Sequence, residues 1–206
     1  TLFTSKQFDE IISSISPYDL TAYGELEPFY KKILEWLAID RSNILLTSGS
    51  DAGIKAIYET YIAEGDEVLI TLPNYAMFSA YADMFGAKII NHYYEKDLSL
   101  NVEQFIQKIN PNTKLAVVSN PGHTGTIIAE NEMVKILKRA ELHNALVVID
   151  EAYHHFYPKT MIKYINRFDN LILSRTFSKA FGLASLRIGL LISNNRIINE
   201  LYKVKL

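Results

Sequence analysis

Leu171-Ile-Leu-Ser-Arg-Thr-Phe-Ser-Lys-Ala-Phe-Gly182 is an apolar run that passes directly into a hydroxyl-rich turn. The run reads as a buried strand, and the turn places Lys179 just beyond its end. A lysine held there is expected to meet low-dielectric surroundings that disfavour its ammonium form. The neutral amine is the form that attacks a carbonyl and makes a Schiff base. Thr176 and Ser178 flank it with short hydroxyl donors, and Arg187 follows in the same segment. Most lysines are solvated surface charges, so the weight of this reading comes from distant segments that agree with it.

Outward from this stretch, apolar runs alternate with helical patterns. Strands are expected at Ile44–Thr47, Val68–Thr71, Lys88–Tyr94, Leu115–Ser119, Leu146–Asp150, Leu171–Ser174 and Ile188–Ser193. Several are nearly continuous in apolar residues, as strands covered on both faces are. Helices are expected at Glu27–Leu37, Ala52–Ala63, Tyr75–Phe85, Val102–Ile109 and Glu130–Leu142, with a last one at Arg196–Lys205. The alternation predicts a three-layer α/β/α fold around a mainly parallel, seven-stranded sheet. Residues 1–25 read as an N-terminal helix and arm, and 26–206 as one ligand-binding domain. In such sheets ligands gather beyond the carboxyl ends of the strands. The distinctive polar residues fall there: Ser50-Asp51, Asn120 to Gly125, Asp150 and Lys179.

Composition narrows the function. The 206 residues are 49% hydrophobic and 21% charged, with a net charge of -2 and no cysteine. Disulfides, thiolate nucleophiles and cysteine-ligated metals are excluded. No basic run with interleaved aromatics points to nucleic acid, and no apolar stretch approaches the roughly 20 residues that span a bilayer. The chain reads as soluble and cytoplasmic, with no nucleic-acid or membrane partner. His92 and the His154-His155 pair lack metal-ligand spacing and read as structural or exposed.

Three further segments carry chemistry. Asp150 ends the strand Leu-Val-Val-Ile-Asp, and a carboxylate at the mouth of a buried strand needs a cation or donor beside it. Ser48-Gly-Ser-Asp-Ala-Gly53 joins a strand to a helix, where backbone amides and the helix dipole favour a phosphate. It is neither a dinucleotide-binding Gly-x-Gly-x-x-Gly nor a Walker loop, which lowers the dehydrogenase and NTPase readings. Tyr75 follows Leu72-Pro-Asn74 and could stack on a flat heteroaromatic ring; Tyr153 could hydrogen-bond that ring's hydroxyl. An amine nucleophile among phosphate-binding groups calls for a phosphorylated aldehyde, and pyridoxal 5′-phosphate fits. Asp150 would then meet its pyridinium nitrogen and keep the ring an electron sink.

Together these segments resemble the class I/II aminotransferases of pyridoxal phosphate fold type I, in particular their histidinol-phosphate aminotransferase branch. The matching strings are Ile44-Leu-Leu-Thr-Ser-Gly-Ser-Asp51, Gly65-Asp-Glu-Val-Leu69, Pro73-Asn-Tyr-Ala-Met-Phe78, Thr124-Gly-Thr126, Val147-Val-Ile-Asp-Glu-Ala-Tyr153 and Arg175 through Gly189. The resemblance implies that Lys179 carries the cofactor and shuttles a proton, with Asp150 on the pyridine nitrogen, Tyr153 on the ring hydroxyl and Tyr75 stacked on the ring. It implies that the amides of Asp51 and Ala52, with Ser50, Thr176, Ser178 and Arg187, hold the phosphate. Tyr23 is similar to the family tyrosine that reaches the phosphate of the other subunit, which implies a homodimer.

Two departures stand out. The family's Asn-Pro-Asn-Asn-Pro-Thr-Gly is here Asn120-Pro-Gly-His-Thr-Gly125, one residue shorter. His123 takes the place of the asparagine that bonds the ring hydroxyl, while Asn120 reaches inward if the loop bends; His123 is the preferred reading. The family's N-terminal gating segment and C-terminal small domain find no counterpart, so the chain reads as the large domain alone. The resemblance implies an aminotransferase acting on an amino donor (an amino acid or amino phosphate) and a 2-oxo acid acceptor. The alternatives are a decarboxylase of the same fold, acting on an amino acid phosphate, and a module that binds the cofactor without turnover.

Overall fold

A computed structural model describes residues 4–204, which divide into two compact units between Arg41 and Ser42. In the first unit, α1 (Ser5–Ser13) starts in a capping box between Thr4 and Gln7, and α2 (Pro17–Thr21) in another between Ser16 and Asp19. α3 (Glu27–Leu37) buries Tyr30 and Ile33 and ends at Ala38 in the left-handed conformation, φ 51°. Arg41 lays its guanidinium 3.4 Å from the Tyr30 ring centroid.

The second unit is built on seven strands: β1 (Ile44–Ser48), β2 (Glu67–Leu72), β3 (Lys88–Tyr93), β4 (Thr113–Ser119), β5 (Leu146–Asp150), β6 (Leu171–Thr176) and β7 (Ile188–Ser193). Their order is β1-β7-β6-β5-β4-β2-β3, and β7 alone runs antiparallel to its two neighbours. Parallel strands need crossovers, and helices supply them. These are α4 (Gly49–Tyr61), α5 (Ala76–Met84), α6 (Val102–Lys108) and α7 (Glu130–Glu141), with α8 (Asn195–Tyr202) following β7. The mainly parallel, seven-stranded α/β sheet expected from the sequence is therefore present.

The strands alternate their side chains between two apolar layers. On one face Leu45, Val68, Val117, Val148 and Leu191 join Ile54 and Ile57 of α4, Phe78 of α5 and Leu201 of α8. The intervening residues Ala116, Val118 and Ile149 are equally buried, and α7 packs Met133, Ile136 and Leu137 inward beside β5. Each such aliphatic side chain contributes about 1.5–3 kcal/mol of transfer free energy, set against the entropy of ordering the chain.

Most strands and helices differ from expectation by one to three residues at an end, and the starts of three helices are instructive. α4 begins at Gly49, so the Gly/Ser segment is the helix's first turn rather than a loop before it. α5 begins at Ala76, leaving Tyr75 as its cap. α8 begins at Asn195 because Asn194 caps it through the Ile197 amide, 3.0 Å away; Lys205 lies outside the described residues. Among those residues no helix is long and apolar enough to cross a membrane.

Candidate functional site

The carboxyl ends of the strands open onto a pocket of about 200 Å³ lined by residues from six separate segments. Ser50 and Asp51 come from the first turn of α4, Tyr75 from the start of α5 and His123 from the loop after β4. Asp150, Ala152 and Tyr153 come from the exit of β5; Thr176, Ser178 and Lys179 from that of β6; Ala184 and Arg187 from the approach to β7. Ten of the residues singled out in the sequence thus share one cavity: Ser50, Asp51, Tyr75, His123, Asp150, Tyr153, Thr176, Ser178, Lys179 and Arg187.

At one end the pocket is bounded by the first turn of α4 and by Arg187. The first amides of a helix have no intrahelical acceptor, and they carry the positive end of its dipole. In α4 the Gly49 N–H is spent on the Arg187 carbonyl at 2.8 Å, and the next two residues of that first turn, Ser50 and Asp51, line the pocket. The helix end can come this close only because residue 189 is glycine: a Cβ there would overlap the Gly49 carbonyl and the Ser50 nitrogen. Arg187 sits in the left-handed region, φ 52°, where the chain turns into β7. Its guanidinium donates to Asp51 Oδ2 at 2.8 Å, and the Tyr75 hydroxyl donates to Asp51 Oδ1 at 2.7 Å. One carboxylate therefore orients both the cation and the aromatic ring. Desolvation, reinforced by the bond to Asp51, pushes the Tyr75 phenol up to about 12, so it remains a donor.

Across the pocket, Asp150 is buried and accepts from the Ala152 N–H at 3.1 Å. Among the described residues it forms no ion pair, and burial, aided by the nearby Glu151 charge, pushes its carboxyl up to about 7. The Ala152 amide and the Lys179 charge pull the other way without offsetting this. A buried carboxyl so poorly supplied with donors suits a ligand that brings a protonated ring nitrogen.

Lys179 rides on a closed turn in which Gly182 donates to the Lys179 carbonyl at 3.0 Å and Leu183 to the Phe177 carbonyl at 3.1 Å. Its amine lies 5.7 Å from the centroid of the Tyr153 ring. Low-dielectric surroundings were expected here, yet the side chain is exposed: β6 ends at Thr176 and the turn carries the lysine out to the rim. The His123 ring lies nearly parallel to Tyr75, with centroids 6.3 Å apart, and edge-on to Tyr153 at 5.3 Å. Partial desolvation and, secondarily, the Lys179 charge hold its imidazole below the usual range, which favours the neutral ring.

Two expected residues stand elsewhere. Asn120 turns away from the pocket: its amide donates to the Ile128 carbonyl at 3.1 Å and accepts from the Ile128 N–H at 3.0 Å, pinning the loop. Ala52 lines a separate cleft with Leu45, Lys55 and Glu59. Tyr23 belongs to the first unit and is fully exposed there. His92 is buried against Phe105, consistent with a structural residue.

Sequence reasoning passed over Asn74, whose carboxamide oxygen accepts from the Tyr75 N–H and the Ser119 hydroxyl, each at 2.7 Å. Its place in a Pro-Asn turn was the available signal, since Asn side chains bond the neighbouring backbone in turns. It also missed the buried pair of Glu151 and Arg175 behind the pocket.

A mainly parallel sheet with one antiparallel strand, carrying a lysine turn, a buried carboxyl and a helix start at its carboxyl edge, defines a ligand-binding α/β domain. Residues 12–206 match the family described as aminotransferase class I and II, and the chain belongs to that family. It is 38% identical over 202 residues to a histidinol-phosphate aminotransferase of Caldanaerobacter subterraneus subsp. tengcongensis, covering 97% of this chain and 56% of that relative. The chain thus spans little more than half the length of the curated relative it matches.

Two solved structures share the fold. Histidinol-phosphate aminotransferase from Sinorhizobium meliloti, in complex with pyridoxal-5′-phosphate, superposes with a TM-score of 0.78 at 24% identity, over 87% of this chain and 50% of its own. L-threonine-O-3-phosphate decarboxylase from Porphyromonas gingivalis superposes with a TM-score of 0.73 at 20% identity, over 86% and 55%.

Proposed function

We propose that the protein to which this chain belongs is a pyridoxal-5′-phosphate-dependent aminotransferase that moves an amino group between an amino donor and a 2-oxo acid. The observation that carries this reading is the pairing, across one pocket, of the donor-starved Asp150 with the Lys179 amine and the start of α4, read as an anion cup. Bound there, the cofactor supplies an electron sink for the substrate bond that breaks.

The chain's own residues supply the rest. Asp150 holds the ring nitrogen in its protonated form. Tyr75 would stack on the ring, and Tyr153 and His123 would be the partners of its hydroxyl. The amides of Ser50 and Asp51, the Ser178 and Thr176 hydroxyls and Arg187 hold the phosphate. The Lys179 amine would hold the cofactor at its aldehyde carbon, with loss of water, and once displaced there by the substrate's own amine would be free to move a proton at the substrate carbon.

The 38%-identical relative favours histidinol phosphate as the amino donor. A homodimer and a cytoplasmic setting complete the proposal; the absence of cysteine fits a reducing compartment. The decarboxylase fold neighbour keeps one rival open, and carbon dioxide release from an amino acid phosphate separates the two.

The test is to add pyridoxal phosphate, record the visible band, reduce with borohydride and map the label. A band with the label on Lys179 is expected. With the protein of which the chain is part, histidinol phosphate and a 2-oxo acid should yield the new amino acid. Failure of every amino donor to transfer its nitrogen would falsify the aminotransferase reading.

A further inference from the structure

Behind the pocket, on the opposite face of the same two strand exits, lies a second polar cluster. Successive residues of an extended chain point to opposite faces. Asp150 and Thr176 line the pocket, and their neighbours Glu151 and Arg175 lie behind it. Both are almost wholly inaccessible, with side chains 2% and 4% exposed.

The Glu151 carboxylate is saturated. Arg175 Nε donates to Oε2 at 2.9 Å, and a second guanidinium nitrogen lies 2.7 Å from the same oxygen. The Met161 N–H donates to Oε1 at 2.9 Å, and the Thr160 hydroxyl lies 2.9 Å from both oxygens. Arg175 closes the ring by donating to Thr160 Oγ1 at 2.6 Å. Three segments meet there: the exit of β5, the end of β6 and the loop ahead of residues 162–164.

A buried ion pair is weak as a stabilising device, because apolar residues of similar volume often serve as well. Its distinctive property is directional: a guanidinium that sets two nitrogens on one carboxylate oxygen and bonds Thr160 as well ties together the backbones that carry them. Glu151 directly follows Asp150, and Arg175 begins the segment that ends in Lys179.

We propose that Glu151, Arg175 and Thr160 are positioning residues, a brace that sets the placement of the Lys179 amine relative to Asp150 across the pocket. The inference rests on the proposed cofactor reading and deepens it. None of the three touches the pocket, so the brace acts only through the strand exits it joins.

The experiment uses the full chain with saturating pyridoxal phosphate, borohydride reduction and peptide mapping, each protein held below its own melting temperature. The double variant E151Q/R175M removes both buried charges yet keeps an acceptor for the Met161 N–H. It is expected to bind the cofactor, shown by fluorescence quenching, while the share of label on Lys179 falls about tenfold and scatters over other lysines. A folded double variant labelled on Lys179 as fully as the parent chain overturns the brace.

If the double variant does not fold, T160V decides. It keeps the ion pair and loses only the hydroxyl, and its labelled share is expected to fall about twofold; an unchanged share overturns the proposal. Absence of label on Lys179 in the parent chain would instead overturn the cofactor reading, and the brace with it.

Discussion

Asp150 and Glu151 are adjacent carboxylates, both buried at the exit of β5, and they live in opposite circumstances. Glu151 is surrounded by an arginine, a threonine and a backbone amide. Asp150 has one backbone donor at 3.1 Å and a carboxyl pushed up to about 7. The face of the sheet exit with complete polar bonding is framework; the face left incomplete is where a ligand belongs. An unpaired buried charge is costly, and it persists where a partner arrives from outside.

The sharpest way to break this contrast is to remove one partner on each face. R175M strands the Glu151 carboxylate in the interior and is expected to cost about 3–5 kcal/mol of unfolding free energy, read from urea denaturation. D150N, by contrast, should leave the cofactor-free chain at least as stable as the parent at pH 8. Equal losses for the two variants would erase the distinction between the faces.

The second effect in size concerns the ligand. Losing a charged hydrogen bond to the ring nitrogen should make D150N bind pyridoxal phosphate about 10–100-fold more weakly, as measured by fluorescence titration. The same variant tests a pH dependence. The Asp150 carboxyl is raised from 3.8 to about 7, so the folded chain binds the proton more tightly than the unfolded one. Stability of the cofactor-free chain is therefore present below the lower value and is lost as pH rises towards about 7. D150N should flatten that slope, and an unaltered slope assigns it to other groups.

At the anion cup, G189A forces a methyl group against the start of α4. An expected cost of about 1–3 kcal/mol should come with weaker phosphate-dependent binding, since the cup itself must shift. The smallest effect belongs to Y75F, which keeps the stacking ring and deletes the bond to Asp51. A loss of about 1 kcal/mol, or roughly fivefold in cofactor affinity, is expected. If Y75F binds as tightly as the parent, Asp51 orients Arg187 alone.

Much of this was legible in the residues. Nearly continuous apolar runs such as Leu146–Asp150 gave β5 with its bounds intact, because strands covered on both faces have no polar positions to blur them. Gly49 and Ser50 misled because their propensities favour turns, while tertiary contact with β7 drew them into α4. Asn120 and His123 could be told apart only by the path of the loop, which the Asn120–Ile128 bonds fix. The exposure of Lys179 escaped notice because strand length, not residue type, decides how far the turn projects. The Glu151–Arg175 pair joins residues 24 positions apart. Strand alternation beside the pocket-facing Asp150 and Thr176 was the signal for it, but the register between β5 and β6 was needed to read it.

The antiparallel pairing of β1 with β7 has a consequence for synthesis. The anion cup joins Asp51 to Arg187, 136 positions later, and Gly49 to the Arg187 carbonyl. During translation α4 emerges long before its counterpart exists, and such distant pairings are slow to form. On the proposed reading, a nascent chain that has not yet seated β7 would have no place for the phosphate, so the cofactor would be captured by the finished sheet. Its binding then shifts the equilibrium towards that finished state alone, by about 2.7 kcal/mol at a hundredfold excess over Kd.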